Sequence, residues 1–179
     1  MIYTLKVFYY WILCFCFTNI ISYNRPLMDY NTPLNDILHF NGVRINYYIC
    51  DIFPALCLLF INNYEKYIIC HTYLLALRFV CFNVTILPPP SLLLENRLVF
   101  RIIPSYTYDL IFSGHTMTCV LSIFCVDRVL IPYTLLLSIL CSISVIIAKE
   151  HYTIDVIVSW ISTYSIVSLY TIDIIDLLE

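Results

Sequence analysis

The stretch FSGHTMTCVLSIFCV, residues 112–126, begins with polar residues and continues as an apolar run. Ser113 and Gly114 are residue types that favour turns and helix caps, and most residues after His115 are apolar. An ionisable side chain at the mouth of an apolar run is costly in a bilayer, so His115 is a functional candidate, and the alternative is a polar residue at the membrane interface. The stretch therefore predicts a helix that starts near His115 and continues into a membrane.

The composition of the whole chain fits the same environment. Of its 179 residues, 61% are hydrophobic and 12% are charged, and the mean hydropathy is +0.88. Soluble domains are only about half apolar. We therefore expect an all-α, polytopic membrane protein that forms a single integral membrane domain over residues 1–179, with a catalytic core at residues 110–172.

Apolar runs long enough to cross about 30 Å of hydrocarbon recur along the chain. They predict about six transmembrane helices in one bundle, at residues 5–22, 45–61, 68–87, 110–126, 129–148 and 154–172. The first run is interpreted as a retained helix, because no small-residue cleavage site follows it before Arg25. The second run is the least regular, because Asp51 and Pro54 interrupt it.

Cysteine and charge patterns exclude some classes of function. The nine cysteines fall inside the apolar runs without a CxxC pair, so they are interpreted as packing residues. We predict neither a metal site nor a cofactor. The net charge of −3 arises from few charges scattered over short loops, which excludes nucleic acid as a partner.

Topology brings three ionisable residues together. Short connections make the last three spans alternate in direction, which places His115 at the membrane depth of His151 and Asp155. His151 and Asp155 are spaced i,i+4, so on a helix the carboxylate can accept Nδ1–H and leave Nε2 free. Two histidines, one of them oriented by an acid, suit phosphoryl transfer: one attacks phosphorus and the other protonates the leaving oxygen.

Other residues are candidates for holding a phosphate group. Backbone amides at Ser113 and Gly114, leading into a helix N-terminus, are expected to face phosphate oxygens. Arg78 lies in the third predicted span, where a guanidinium is costly. We expect it to pair with a phosphate or an acid such as Asp51, and the alternative is that it snorkels to the interface.

Several segments resemble the sphingomyelin synthase-related lipid transferases, which are relatives of the type 2 phosphatidic acid phosphatases. FSGHT at residues 112–116, preceded by Asp109, is similar to the segment ending in SGHT, and HYTIDVIVSWIST at residues 151–163 is similar to HYTxDV. RFVCFNVTILPPP at residues 78–90 resembles an arginine followed by VTxLP. PLMD at residues 26–29 and PLND at residues 33–36 both resemble PLxD.

The chain also departs from these families. The family has CGD where this chain has Thr107, Tyr108 and Asp109. The phosphatase relatives carry Ser-Arg where Ser144 and Val145 stand here, and their lysine-and-arginine motif is not evident. The missing phosphatase motifs suggest that phosphate-binding cations are absent, which argues against simple phosphatase activity.

The resemblance implies a reaction and roles for residues. A phospho-head group passes from a glycerophospholipid to ceramide, releasing diacylglycerol through a phosphohistidine intermediate. His151 is then the nucleophile, Asp155 its orienter and His115 the acid and later the base, while Asp109 and Tyr152 shape the pocket. The partners are ceramide, a glycerophospholipid and the bilayer.

The sequence allows alternatives for the transferred head group, for the side of the membrane on which the active site lies, and for the class of reaction. Tyr106, Tyr108, Asp109 and Glu150 permit either a choline or an ethanolamine head group. The balance of Lys and Arg favours a cytosolic active site, whereas the resemblance implies a lumenal or exoplasmic one. The expected location is the Golgi, endoplasmic reticulum or plasma membrane. The alternatives to a transferase are a lipid phosphate phosphatase and an inactive lipid-binding or scaffold protein.

Overall fold

The computed structural model describes residues 9, 10, 12, 13, 36, 38, 48–85, 87 and 111–176. Within these ranges every regular element is helical and there is no strand, which confirms the all-α prediction for this part of the chain. The helices are α1 (Tyr48–Leu59), α2 (Tyr64–Val84), α3 (Gly114–Ile123), a 3₁₀ turn (Arg128–Leu130), α4 (Ile131–Ile147) and α5 (Thr153–Asp176).

Two connections meet at one end of the bundle. The backbone N–H groups of Asn62 and Asn63, between α1 and α2, both donate to the carbonyl oxygen of Cys125, between α3 and α4, at 3.1 Å. The side-chain amide of Asn62 also donates to the carboxylate of Asp127. Because these turns lie together, the starts of α1, α3 and α5 and the ends of α2 and α4 lie at the opposite end.

Helix α3 is the centre of the bundle and packs against all four other helices. Thr116, Met117, Val120 and Leu121 are among its fully buried residues. Its 10 residues extend about 15 Å at 1.5 Å per residue, roughly half the thickness of a bilayer core. Helix α3 is therefore shorter than the predicted span at residues 110–126, and its buried apolar residues pack against the other described helices.

Helices α4 and α5 have small polar residues inside and large apolar residues outside. Their buried faces include Thr134, Ser138, Ser159 and Thr163. Their exposed residues include Leu135, Leu136, Ile139, Ile143, Ile157, Ile161, Tyr164 and Leu169. This pattern is typical of helices that face lipid and pack through small residues.

Two stretches of the described chain, Arg128–Ile147 and Thr153–Thr171, are long and apolar enough to cross a membrane. These helices indicate membrane association. Helix α1 is a shorter apolar helix, and most of the first predicted span falls outside the described residues. A bundle of six spans stays a prediction.

Candidate active site

The end of α4 turns the chain toward the site by a Schellman motif. The N–H of Lys149 donates to the carbonyl oxygen of Ile146, and the N–H of Glu150 donates to that of Val145, both at 3.0 Å. Lys149 has a positive φ of 55°, the left-handed conformation that this motif requires and that glycine adopts most easily. The reversal delivers Glu150 and His151 to the start of α5.

Asp155 organises the start of α5. Its Oδ2 accepts the N–H of Tyr152 at 2.9 Å, which satisfies a donor at the helix N-terminus as in a capping box. The same oxygen lies 3.2 Å from Nδ1 of His151, and Oδ1 accepts the N–H of Ile111 at 2.9 Å. Asp155 is fully buried and His151 is nearly so, so the carboxylate is fixed by its partners.

The expected contact between His151 and Asp155 is present, but it arises differently from the prediction. Helix α5 begins at Thr153, so His151 precedes the helix instead of lying on it. The contact forms because Asp155 reaches back over the first turn. Nε2 of His151 is the nitrogen that this contact leaves for chemistry.

The start of α3 is attached to the first turns of α5. Oγ of Ser113 accepts the N–H of Thr116 at 3.3 Å and caps α3, as its residue type predicts. The carbonyl oxygen of Ser113 accepts the hydroxyl of Ser159 at 3.2 Å. Just before this cap, Ile111 has a positive φ of 82°, a strained conformation for a β-branched residue. The FSGHT segment is thereby held beside Asp155.

His115 lies between two carboxylates. Its Nε2 is 2.7 Å from Oδ1 of Asp51 in α1, and its Nδ1 is 3.9 Å from Oε2 of Glu150. Glu150 is buried, whereas the side chain of Asp51 is 45% exposed. The suggestion that Asp51 pairs with Arg78 is therefore replaced by a contact with His115. A carboxylate inside an apolar run indicates that Asp51 has a partner, but the sequence does not identify His115 as that partner.

Arg78 in α2 lies against the first residue of α3. A Cβ atom added to Gly114 would lie 3.0 Å from Nη1 of Arg78 and 3.3 Å from its Cζ. The guanidinium therefore lies beside the FSGHT segment. Although the sequence lacks the cationic motifs of the phosphatase relatives, this position of Arg78 provides a cation beside the FSGHT segment.

Of the two residues expected to shape the pocket, Tyr152 and Asp109, the structure describes only Tyr152. Tyr152 is buried beside His151, with its N–H bound to Asp155. Asp109 lies outside the described residues, as do Tyr106 and Tyr108. Asp36, which sequence analysis placed in one of two similar motifs, contacts Thr153 at the start of α5.

Residues 108–172 match the family described as PAP2 superfamily C-terminal. This match includes both histidine segments and supports a relation to the type 2 phosphatidic acid phosphatases. Members of that superfamily act on phosphate esters as phosphatases or phosphotransferases, so this part of the chain fits lipid-phosphate chemistry. Comparisons with curated proteins and with solved structures gave no match.

Proposed function

We propose that this chain is a membrane-embedded transferase that moves a phospho-head group from a glycerophospholipid to ceramide and releases diacylglycerol. The observation that carries the proposal is the buried pair of His151 and Asp155, at the same end of the bundle as His115. Asp155 fixes the ring of His151 through Nδ1 and leaves Nε2 as a nucleophile.

The first half of the reaction forms a phosphohistidine. Nε2 of His151 attacks phosphorus, the new N–P bond forms, and the bond between phosphorus and the diacylglycerol oxygen breaks. His115 gives a proton to that oxygen as it leaves. The carboxylate of Asp155 stabilises the positive charge that develops on His151.

The second half transfers the group to the acceptor. The hydroxyl of ceramide attacks phosphorus, the N–P bond breaks, and His115 takes the hydroxyl proton. His115 is therefore returned to the state in which it began, and Nε2 of His151 no longer carries the phosphoryl group. No step requires a cofactor.

The phosphate group is held at the start of α3 rather than at the start of α5. The first N–H groups of a helix have no acceptor within the helix and attract anions. At α5 the N–H groups of Tyr152 and Thr153 are already bound by Asp155 and Asp36. At α3 the guanidinium of Arg78 lies beside Gly114 and adds positive charge to the helix terminus.

A second candidate function is a lipid phosphate phosphatase, in which water instead of ceramide attacks the phosphohistidine. The position of Arg78 favours this alternative more than the sequence did, because it provides a cation for a phosphate monoester. The contacts of His151 with Asp155 and of His115 with Asp51 argue against the third reading, an inactive scaffold.

Both functions place the site within reach of lipid head groups. The exposed apolar faces of α4 and α5 suit direct contact with acyl chains. In this proposal the chain is an integral, multi-pass protein of the Golgi, endoplasmic reticulum or plasma membrane. Its substrates reach the histidines from the bilayer itself.

The test is expression of the full chain in a host without phosphosphingolipid synthesis. Membranes are incubated with fluorescent ceramide and mixed phospholipids, and products are separated by chromatography and identified by mass spectrometry. A phosphosphingolipid that is absent from the His151→Ala control establishes the transferase and identifies its head group. Phosphate release from phosphatidic acid without a ceramide product supports the phosphatase, and neither activity supports the inactive reading.

A further inference from the structure

Asp36 is attached to the first residue of α5 across 117 positions of the chain. Its Oδ2 accepts the backbone N–H of Thr153 at 2.5 Å, and its Oδ1 accepts the hydroxyl of the same residue at 2.7 Å. Both bonds are charge-assisted, because the acceptor is a carboxylate. Asp36 and Thr153 together form what we call the clasp.

The Asp36 side chain is itself held in place. The N–H of Leu38 donates to Oδ1 of Asp36 at 3.0 Å, an Asx-type turn two residues long. This local bond fixes the direction of the carboxylate before it meets Thr153. A negative charge at the N-terminus of a 24-residue helix is also favourable to the helix dipole.

The clasp lies between the two residues of the proposed nucleophilic pair. Thr153 follows His151 by two residues and precedes Asp155 by two. Oδ2 of Asp155 contacts both the N–H of Tyr152 and Nδ1 of His151. If the first turn of α5 frays, Asp155 loses Tyr152 and the ring of His151 loses its orientation. The bond from Asp36 to Thr153 opposes that fraying.

We infer that Asp36 is a positioning residue for His151, acting through Thr153 and the first turn of α5. The inference rests on the proposed function, because it explains how a segment outside residues 108–172 serves that reaction. It also gives PLND at residues 33–36 a part in the site, because Asp36 is the aspartate of that segment. Asp36 need not touch substrate.

The first test measures kcat and the KM for the donor lipid in membranes containing the full chain. Asp36→Ala is expected to lower kcat by about 100-fold, as small misplacements of reacting groups do, while the KM changes little. Thr153→Val removes the hydroxyl bond and lowers kcat in the same direction. The double variant is expected to be no worse than Asp36→Ala, because both changes break one clasp.

Conservative variants separate positioning from a general loss of folding. Asp36→Asn retains an oxygen for the N–H of Thr153, and Thr153→Ser retains the hydroxyl, so each should recover most of the lost kcat. Asp29→Ala changes the aspartate of the other similar segment and is expected to keep the wild-type kcat. Full activity of Asp36→Ala, a loss confined to the KM, or multiplicative effects in the double variant would overturn the inference.

A readout without catalysis keeps this inference separate from the proposed function. Diethyl pyrocarbonate modifies accessible histidines, and mass spectrometry of peptides reports each site. Asp36→Ala should make buried His151 react several-fold faster without changing the rate at His115. If the wild-type chain acts on no lipid, the proposed function fails, and the modification rate of His151 alone tests whether Asp36 positions this residue. A rate at His151 that is unchanged in Asp36→Ala overturns the inference.

Discussion

Nε2 of His115 lies 2.7 Å from Oδ1 of Asp51, although 64 positions separate the two residues in the chain. Helix α1 thus provides a carboxylate to a histidine at the start of α3, and Glu150 lies on the other side of the ring at 3.9 Å. Asp51 precedes the residues matched to the PAP2 superfamily. The candidate site therefore extends beyond the segment that carries the family signature.

Replacing Asp51 should impair the acid–base role proposed for His115. Asp51→Ala removes the partner of Nε2 and lets the ring rotate, so kcat should fall about 10- to 100-fold, within the range of general acid–base catalysis. Asp51→Asn keeps an acceptor oxygen and should lose less. Initial rates of transfer to fluorescent ceramide measure both.

Asp127→Ala is the matched control for Asp51→Ala. It removes a carboxylate at the opposite end of the bundle, where Asp127 binds Asn62. We expect it to lower thermal stability and to leave kcat unchanged. An Asp51→Ala enzyme as fast as the Asp127→Ala control would show that Asp51 has no part in the reaction.

Asp155→Asn should reduce transfer by up to about 10⁴-fold, the effect of replacing the orienting aspartate in a Ser-His-Asp triad. The amide can still accept the N–H of Ile111 or Tyr152, so the fold should persist. It cannot serve as an anionic partner for His151, and it favours the wrong tautomer of the imidazole. Rates are measured at equal protein levels in membranes.

The intermediate distinguishes the two histidines. With a donor lipid labelled in its phosphate, His115→Ala should still accumulate some acid-labile, base-stable label on the protein, whereas His151→Ala should accumulate none. Both variants should abolish turnover while leaving membrane insertion intact. Label that remains on a His151→Ala protein would exclude His151 as the nucleophile.

Much of this site follows from the sequence, because spacing and topology are local or coarse properties. The placement of His115 at the same end of the bundle as His151 and Asp155 required only short connections and alternating helices. The start of α5 at Thr153 and the left-handed Lys149 depend on caps that a periodic pattern does not reveal. The length of α3 was missed because apolar residues facing protein and apolar residues facing lipid look alike in sequence.

The contacts of Arg78 and Asp36 could not be derived from spacing at all. Each residue meets a helix terminus that is distant in sequence, Gly114 for Arg78 and Thr153 for Asp36. An arginine within an apolar run predicts that some partner exists but does not identify it. Tertiary packing decides the partner, and here it selects the helix that carries His115.

Gly114→Ala tests whether Arg78 lies where phosphate binds. The added methyl group would approach Nη1 of Arg78 to 3.0 Å, so the flexible guanidinium must shift. Folding should change little, while the KM for the donor lipid should rise about tenfold, the effect of one weakened charge-assisted bond. Arg78→Lys keeps the charge without the planar fork and should raise the KM as well.

The double variant of Gly114→Ala and Arg78→Ala distinguishes an effect through Arg78 from a direct effect on substrate binding. If Gly114→Ala acts only by moving Arg78, then adding it to Arg78→Ala should produce no further rise in the KM. Independent, multiplicative effects would mean that the methyl group blocks substrate directly. An unchanged KM in Gly114→Ala would argue against a phosphate site at the start of α3.

Lys149→Gly should be more stable than Lys149→Ala. The left-handed φ of 55° at Lys149 is unfavourable for a residue with a Cβ atom by about 1 to 2 kcal/mol, and glycine is the preferred residue at this position of a Schellman motif. Glycine also loses more freedom on folding, so a net gain of about 0.5 to 1 kcal/mol is expected.

Lys149→Ala is the matched control, because it removes the same side chain but keeps the Cβ atom. Thermal unfolding in detergent should therefore give a Tm for the glycine variant about 1 to 4 °C above that of the alanine variant. Equal values would mean that the turn delivering Glu150 and His151 does not hold Lys149 in this conformation.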